Sequence, residues 1–232
     1  MQSPALPEKV MDAMLEEEIS RALDAGTDLE GFHFYGEELP DLDGDALEFI
    51  GCILERCVFS SSGAARLVFV DCIFEKCDLS ALTDSRVSFV DCVLDHCDLS
   101  GTVLSKCTLQ RVKLLNCRLT GVRFSEGTLM NVQFEDCQMD YSSFDKEKVQ
   151  HVLINRCTMK ESIFVECRWQ NLDLMDCDVD GSEWSRTSLK GLNLTKCRFS
   201  SLRVDPAALR GLKVTSLQAM ALSRLLGLVI AD

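Results

Sequence analysis

Apolar residues recur at every fifth position over most of the chain. From Phe34 to Val214 there are 37 consecutive five-residue steps, and the central residue is apolar in 35 of them; the exceptions are Gly44 and Asp84. The residue two positions before each centre is small or medium-sized, mostly Cys, Val, Leu, Ser, Thr or Ala. A helix has a period of about 3.6 residues and a half-buried strand a period of about 2, so neither explains the pattern. The unbroken register indicates an internal repeat.

The thirteen cysteines all occupy one phase of this repeat. They lie at positions 52, 57, 72, 77, 92, 97, 107, 117, 137, 157, 167, 177 and 197, each of which leaves remainder 2 on division by 5. Eight of them recur at intervals of 20 residues: Cys57, Cys77, Cys97, Cys117, Cys137, Cys157, Cys177 and Cys197. No CxxC spacing occurs and the chain has only three His, so neither a zinc site nor a disulfide framework is indicated.

A five-residue step with two inward and three outward side chains corresponds to a short straight side followed by a corner. Four such sides close a coil of 20 residues, which agrees with the 20-residue spacing of the cysteines. Coils stacked at the strand spacing of about 4.8 Å can hydrogen-bond to the coils on both sides. The pattern therefore predicts about nine coils, which form a rod on the order of 45 Å long.

Segments such as Cys77-Asp78-Leu79-Ser80 and Cys97-Asp98-Leu99-Ser100-Gly101 resemble the repeats of the pentapeptide-repeat family. The resemblance implies an all-β solenoid, namely a right-handed quadrilateral β-helix of pentapeptide repeats with short capping helices at both ends. It divides the chain into an acidic N-terminal capping segment (1–31), the β-helix (32–214) and a C-terminal capping helix with a tail (215–232). Because a solenoid supports many roles, the resemblance is specific for fold and says little about function.

The C-terminal segment predicts a capping helix. Thr215 followed by Gln218 is a capping-box pattern, and Gly227 ends the helix. Its candidate contact residues are Leu217, Leu222, Leu225 and Leu226. The segment resembles the C-terminal cap of the gyrase-binding members of the family, in which this helix builds a two-fold dimer, and so implies a homodimer. The alternative is a plain end cap that buries its leucines on the last coil.

The N-terminal segment predicts an acidic helix that begins after Pro7 and ends at Gly26. The open edge of the first coil must be covered, so we expect this helix to lie over that coil. Its charged face includes Glu16, Glu17 and Glu18. That face is either a solvated surface or a docking surface for a protein partner.

Two neighbouring outward columns are apolar in the early coils, where polar residues are expected. One column contains Ile50, Val70 and Val90 and, farther along, Met130; the other contains Ile53, Ile73 and Val93 and, farther along, Leu153. They predict an apolar strip along one corner, which is either an interaction surface or a consequence of the preference of β-branched residues for strands.

The central residues Gly44, Ala64 and Asp84, also 20 positions apart, fit the repeat poorly. They predict a local irregularity that is either filled by neighbouring side chains or open as a notch.

Charge is unevenly distributed along the chain. With 37 acidic and 24 basic residues the net charge is −13, and residues 1–48 account for −12 of it. The remainder alternates in sign: −4 over 49–98, +4 over 99–134, −7 over 135–183 and +7 over 184–224. The acidic balance disfavours direct binding of nucleic acid, which needs clustered Lys and Arg.

The sequence predicts a cytoplasmic protein with no membrane contact. No apolar run approaches the roughly 18 residues of a membrane span, and residues 1–19 are acidic rather than typical of a signal peptide. Thirteen cysteines without a disulfide pattern also favour a reducing compartment.

Little in the sequence indicates catalysis. His33, His96 and His151 lie at different phases of the repeat, and no Ser or Cys nucleophile has a base at recognisable spacing. We therefore expect no catalytic residue, no metal and no cofactor, and we interpret the inward cysteines as small hydrophobic filler.

Two functions remain open at this point. The first is a non-enzymatic scaffold that binds a cytoplasmic protein partner through surface patches. The second, implied by the resemblance, is a DNA-mimicking protein that binds DNA gyrase or a related topoisomerase and confers fluoroquinolone protection. The charge changes sign along the rod, which is a poor copy of an evenly anionic duplex and favours the scaffold.

Overall fold

The polypeptide winds into stacked coils of 20 residues, so that residues 20 apart in sequence lie side by side. The computed structural model describes residues 4, 7, 10–40, 42, 46–59, 66–82 and 86–228. Leu54 pairs in parallel with Phe74, and Phe74 pairs with Leu94. About nine such coils form a parallel β-solenoid, which confirms the predicted fold class.

Each coil has four faces, numbered here in chain order from the face that contains Phe34. Faces 1 and 4 form one fifteen-stranded sheet that bends around a corner. Face 1 contains Met11–Asp12, Phe32–Tyr35, Ile53–Glu55, Ile73–Glu75, Val93–Asp95, Lys113–Leu115 and Gln133–Glu135. Face 4 contains Leu29–Glu30, Ala46–Ile50, Arg66–Val70, Arg86–Val90, Thr108–Gln110 and Thr128–Met130. The strands Lys148–Asn155 and Arg168–Met175 run across both faces.

Faces 2 and 3 complete the coil. Face 3 is a six-stranded sheet with the strands Val103–Ser105, Arg123–Ser125, Ser143–Asp145, Ile163–Val165, Glu183–Ser185 and Arg203–Val204. Face 2 is held by single parallel bridges, such as Val58 to Asp78 and Asp98 to Arg118.

Residues with positive φ make the sharp corners. Twenty non-glycine residues of the described ranges have φ between 50° and 60°, and each directly precedes an inward position of the cysteine phase. This left-handed conformation costs a non-glycine residue about 1–2 kcal/mol. The same residues donate their N–H groups to the next coil, as Arg56 does to the carbonyl of Glu75 at 2.8 Å and Lys76 to that of Asp95 at 2.9 Å. Hydrogen bonds between coils therefore hold a backbone that the side chains alone disfavour.

Stacked aromatic rings fill the centre of the rod, and they change face along its length. In the early coils Phe69 lies between Phe49 and Phe89 on face 4, with ring centroids 4.9 and 5.2 Å away. Later the stack continues on face 3 as Phe124, Phe144, Phe164 and Trp184, with centroid separations of 5.1, 4.8 and 4.0 Å. Gly44, Ala64 and Asp84, the poor central residues of face 3, lie outside the described residues.

The cysteines line the inside of the corners, as their phase predicts. All thirteen are free and buried. Most of their thiols donate to a carbonyl of the preceding coil; Cys77, for example, donates to Leu54 O at 3.1 Å and Cys117 to Leu94 O at 3.4 Å. Their small side chains leave room for the large central residues.

Short helices cover both ends of the rod. The N-terminal helix begins at Leu15 rather than soon after Pro7 as predicted, because Met11–Asp12 forms a strand that pairs with Phe32 and His33. Helix α1 (Leu15–Ala25) buries Leu15, Ile19 and Ala22 and ends at Gly26, which has φ 64°. Helix α2 (Ser216–Ser223) continues as a 3-10 turn (Arg224–Leu226), and a second 3-10 turn (Pro206–Leu209) precedes it. No helix among the described residues is long and apolar enough to cross a membrane.

The predicted capping box holds α2 in place. Thr215 Oγ1 accepts a hydrogen bond from Gln218 N at 3.3 Å, and Gln218 Oε1 accepts one from Thr215 N at 2.8 Å. The Gln218 amide also donates to the carbonyls of Leu194 and Cys197, both at 2.8 Å. This side chain therefore ties the helix to the last full coil.

Within the described part of the chain, one buried inward position carries a charge-bearing side chain. Glu147 has the phase of the cysteines and is only 1% exposed. Its Oε1 accepts a hydrogen bond from Gly127 N at 2.8 Å, whereas its Oε2 has no partner within the described residues. A Cβ at position 127 would lie 2.4 Å from the backbone oxygen of Cys107 and 3.0 Å from Glu147 Oε1, so the position requires glycine chiefly because of the neighbouring backbone. Burial raises the pKa of Glu147 to about 7. The sequence could have revealed this buried glutamate, because Glu147 has the phase of the cysteines and Gly127 lies 20 residues before it.

We expect Phe124→Ala to lower the free energy of unfolding by about 3–5 kcal/mol, because Phe124 is 1% exposed and its removal leaves a cavity under Phe144. The exposed change Gln138→Ala should stay within about 0.5 kcal/mol. Urea unfolding of both variants checks this. Equal losses would contradict the assignment of inward and outward positions.

We expect Glu147→Gln to remove a pH dependence of stability. Burial raises the pKa of Glu147 from its ordinary value of 4.5 to about 7 in the folded protein, so the fold loses stability progressively as the pH rises from about 4.5 to about 7. The variant should gain on the order of 3 kcal/mol relative to the wild type between pH 4 and pH 8. Urea unfolding at several pH values measures the difference, with the exposed Glu126→Gln as control. A difference that does not change with pH would contradict the assignment.

Candidate functional site

The predicted apolar strip lies along the corner between faces 4 and 1. Ile50, Val70 and Val90 are paired in register as one column. Ile53, Ile73 and Val93 form the second column in the same way. All six side chains are half-buried. The structure therefore brings these six predicted residues together in one patch, called the apolar corner below.

Charged residues occupy the turn between the two columns. Gly51, Asp71 and Asp91 form this turn, with φ of 60°, 53° and 55°. Arg111 of the next coil donates to Asp91 Oδ1 through Nε at 2.6 Å and also contacts Oδ2. Burial, and after it the charge of Asp91, raises the pKa of Asp71, and Arg111 opposes this. The apolar corner therefore contains a carboxyl group without an ion pair of its own within the described residues.

Acidic groups lie at the N-terminal end of the apolar corner. Glu30 pairs with Ile50 and therefore begins the first column. His33 pairs with Ile53 and begins the second. The His33 Nδ1 atom lies 2.8 Å from Asp12 Oδ1. Toward the C-terminal end the columns continue with polar residues, Gln110 and Lys113, so the apolar part is limited to three coils.

The predicted acidic residues Glu16, Glu17 and Glu18 lie on the first turn of α1. Glu16 and Glu17 are exposed, and Glu18 is half-buried. Arg21 contacts both Glu17, at 3.4 Å, and Glu18. Arg21 therefore partly neutralises this group, and Glu16 has no ion pair within the described part of the chain.

The four predicted residues of the C-terminal cap have different environments. Leu222 is buried on its own last coil and Leu225 is half-buried, as a plain end cap requires. Leu217 and Leu226 are 78% and 62% exposed. Sequence reasoning missed Met220 (48% exposed) and Leu228 (56% exposed), which join them at the surface. The exposed part of this cap remains large and apolar.

Ion pairs between successive coils neutralise much of the acidic surface on the sides of the rod. Arg118 pairs with Asp98 at 2.6 Å and Arg156 with Asp136 at 2.8 Å, each 20 residues apart. The hydrogen bond from Arg156 lowers the pKa of Asp136. Arg186 repeats the arrangement with Glu166 at 2.7 Å. Basic and acidic residues of successive coils therefore form local ion pairs, although the sequence alternates in net charge over longer segments.

The thiols and histidines form no recognisable reactive centre. Burial raises the pKa of the Cys107 thiol, and it raises that of Cys167 to about 11. Such thiols stay protonated at neutral pH and are poor nucleophiles. Among the residues that the structure describes, no group of three or more His, Cys, Asp or Glu side chains is arranged to hold a metal ion.

Comparison with known proteins agrees with the repeat. The family described as pentapeptide repeat region matches residues 67–144 and 87–164. Full-length QnrB1, a plasmid-mediated fluoroquinolone resistance protein, is 16% identical, with 87% of this chain and 100% of that chain covered and a TM-score of 0.39. HetL, a pentapeptide repeat protein involved in heterocyst differentiation regulation from the cyanobacterium Nostoc sp. strain PCC 7120, is 14% identical, with 87% and 95% covered and a TM-score of 0.37.

No curated protein matches the chain. The family match rests on the same coils in which the five-residue register, the inward cysteines and the positive-φ corners were observed. Residues 67–164 of the chain therefore form a pentapeptide repeat region.

Proposed function

We propose that this protein is a non-enzymatic scaffold that binds a protein partner through the apolar corner. The single observation that carries the proposal is the pair of apolar columns, Ile50–Val70–Val90 and Ile53–Ile73–Val93, half-exposed on three successive coils. Removing apolar surface from water is the main source of free energy in protein association. The columns are rigidly spaced by the backbone ladder, so little conformational entropy is lost when a partner docks.

The surroundings of the apolar corner favour a particular kind of partner. Asp71 lies between the columns, and Glu30 and Asp12 lie at their N-terminal end. A partner that matches this surface has an apolar patch with Lys or Arg nearby, because a carboxylate left unpaired in an interface costs free energy. The partner is therefore a protein with a basic, apolar surface.

The chemistry of the described side chains supports a binding role rather than a catalytic one. Thiols such as Cys107 are buried and have a raised pKa, so they are not available as nucleophiles. Thirteen free thiols persist best in a reducing compartment, so we place the protein in the cytoplasm.

Binding of DNA gyrase by DNA mimicry is the alternative that the family resemblance implies. A mimic of duplex DNA needs a long, continuous anionic surface. Here Asp91, Asp98 and Asp136 are each neutralised by an arginine of the next coil. The charge pattern therefore favours the scaffold over the mimic.

The apolar corner is tested by the double change Val70→Thr with Ile73→Thr, which keeps β-branched side chains and replaces apolar surface by hydroxyl groups. We expect binding of the native partner to weaken at least about tenfold, equivalent to about 1.4 kcal/mol. Quantitative mass spectrometry of proteins retained from the host lysate by immobilised protein measures it.

A matched control for that experiment lies on face 3. Ile163 and Val165 are also half-buried outward residues of a strand, so Ile163→Thr with Val165→Thr has the same composition change and a similar effect on stability. The control should retain the partners that the corner variant loses. Identical partner lists for the wild type and both variants would refute the proposed site.

The alternative function is tested by a supercoiling assay with purified gyrase, with and without a fluoroquinolone. We expect micromolar protein to change neither supercoiling nor drug-induced cleavage appreciably, because the neutralised sides of the rod lack the charge of a duplex. Potent inhibition at sub-micromolar protein would overturn the scaffold proposal in favour of the gyrase-binding one.

A further inference from the structure

The N-terminal end of the rod has an exposed surface that is both apolar and acidic. Met11, Met14 and Leu23 are 66%, 55% and 38% exposed around α1, although α1 already buries its other side on the first coil. Glu16 and Asp24 are exposed beside them. Residues 10–30 contain seven acidic residues and one basic residue, Arg21, for a net charge of −6.

The C-terminal end has an apolar groove with a basic rim. The groove has a volume of about 240 Å³ and is lined mainly by Leu209, Leu212, Val214, Ala219, Leu222 and Leu226. Arg210, Lys213 and Arg224 are exposed nearby and make no ion pair within the described residues. Residues 184–224 carry a net charge of +7, with Asp205 as their single acidic residue. Because Arg186, Arg198 and Arg203 pair with acids of the preceding coils, the basic rim itself consists of Arg210, Lys213 and Arg224.

Helix α2 itself indicates that this end is covered. Its sequence, Ser-Leu-Gln-Ala-Met-Ala-Leu-Ser, has no charged residue, and Leu217 and Met220 face outward while Leu222 faces the core. A helix that is apolar on all sides is typical of a buried position rather than of a surface. The helix is also fixed by the hydrogen bonds of Gln218 to the last coil, so the groove is preformed.

The charges decide what can cover the groove. A second C-terminal cap, as in a two-fold dimer, would bring Arg210, Lys213 and Arg224 close to their own copies with almost no acidic residue to compensate. The N-terminal end of another copy offers the opposite charge together with exposed methionine and leucine side chains. Like charges in an interface are unfavourable and complementary charges fix the choice of partner.

We propose that copies of this chain associate head to tail, with the acidic N-terminal cap of one rod on the basic, apolar C-terminal cap of the next. Such a contact joins two different surfaces, so it does not close and can extend into a chain of rods. Each copy would lengthen the chain by about nine coils, on the order of 45 Å. The apolar corner lies on the side of the rods, so this inference is independent of the function proposed above.

The experiment uses two charge-reversed variants of the full chain. The first, Glu16→Lys with Glu17→Lys, changes only the N-terminal cap, and the second, Arg210→Glu with Lys213→Glu, changes only the C-terminal cap. All four side chains are exposed, so folding should be retained, which circular dichroism checks. Glu126→Lys and Arg123→Glu, exposed in the middle of the rod, are the matched controls.

Sedimentation velocity over a range of protein concentrations measures association at low and at high salt. The wild type should associate with increasing concentration, and high salt should weaken this because the complementary charges are screened. Each cap variant alone should associate at least about tenfold more weakly, whereas an equimolar mixture of the two should form pairs as strongly as the wild type. In the mixture the unchanged C-terminal cap of the first variant meets the unchanged N-terminal cap of the second.

Other outcomes would overturn the inference. In a two-fold dimer of C-terminal caps, the first variant would associate like the wild type and the second would not. In a dimer of N-terminal caps the result would be the reverse. A wild type that stays monomeric at about 100 µM in low salt, or mid-rod controls that lose association as strongly as the cap variants, would also refute head-to-tail contact.

Discussion

The hydrogen bonds between successive coils are the interaction on which the rest of this structure depends. Each coil donates to its neighbours on both sides, as Ile73 N does to Cys52 O and Lys76 N to Asp95 O, both at 2.9 Å. These bonds need a spacing of about 4.8 Å and a register of exactly one coil, so a single inserted residue would displace every later side chain by one phase. They also stabilise the twenty left-handed corners, which few side chains adopt by themselves. The unbroken register is therefore a requirement of the backbone.

Because this backbone repeats, the cross-section of the rod stays constant. The core side chains of each coil must therefore fill the same space. The main ring stack lies on face 4 in the early coils, as Phe49–Phe69–Phe89, and on face 3 in the later coils, from Phe124 to Trp184. Most corner positions carry a small or medium-sized side chain, and Cys is a small apolar side chain whose thiol can donate to a nearby carbonyl. Glu147 is the exception, and it fits because Gly127 leaves the space and supplies an N–H donor. Because burial raises the pKa of Glu147, the free-energy cost of burying this carboxyl group varies with pH.

The surfaces available for binding are those whose charges and apolar side chains are not already paired or covered by a neighbouring coil. On the sides of the rod, arginines such as Arg118 and Arg156 reach the acids of the preceding coil, so these charges compensate locally. The ends have no further coil, and there α1 and α2 cover the open edges but leave charges and apolar side chains exposed. The apolar corner differs from both, because its columns are apolar where the neighbouring coils carry Gln110 and Lys113. We therefore propose one corner and the two ends as binding surfaces.

The sequence by itself determined the solenoid, the 20-residue coil, the inward cysteines and both capping helices, because a strictly local five-residue rule repeats and each coil contacts only its neighbours. It also placed the six residues of the apolar corner in two columns, since columns follow from arithmetic once the coil length is known. Only the tertiary structure decided that Leu222 is buried while Leu217 is exposed, and that Arg111 neutralises Asp91 and leaves Asp71 unpaired. Those outcomes depend on how a helix sits on the last coil and on which rotamer a long side chain adopts. The position of the helix and the rotamer of the side chain are not set by the phase of a residue in the repeat, because neither depends on a contact that repeats from coil to coil.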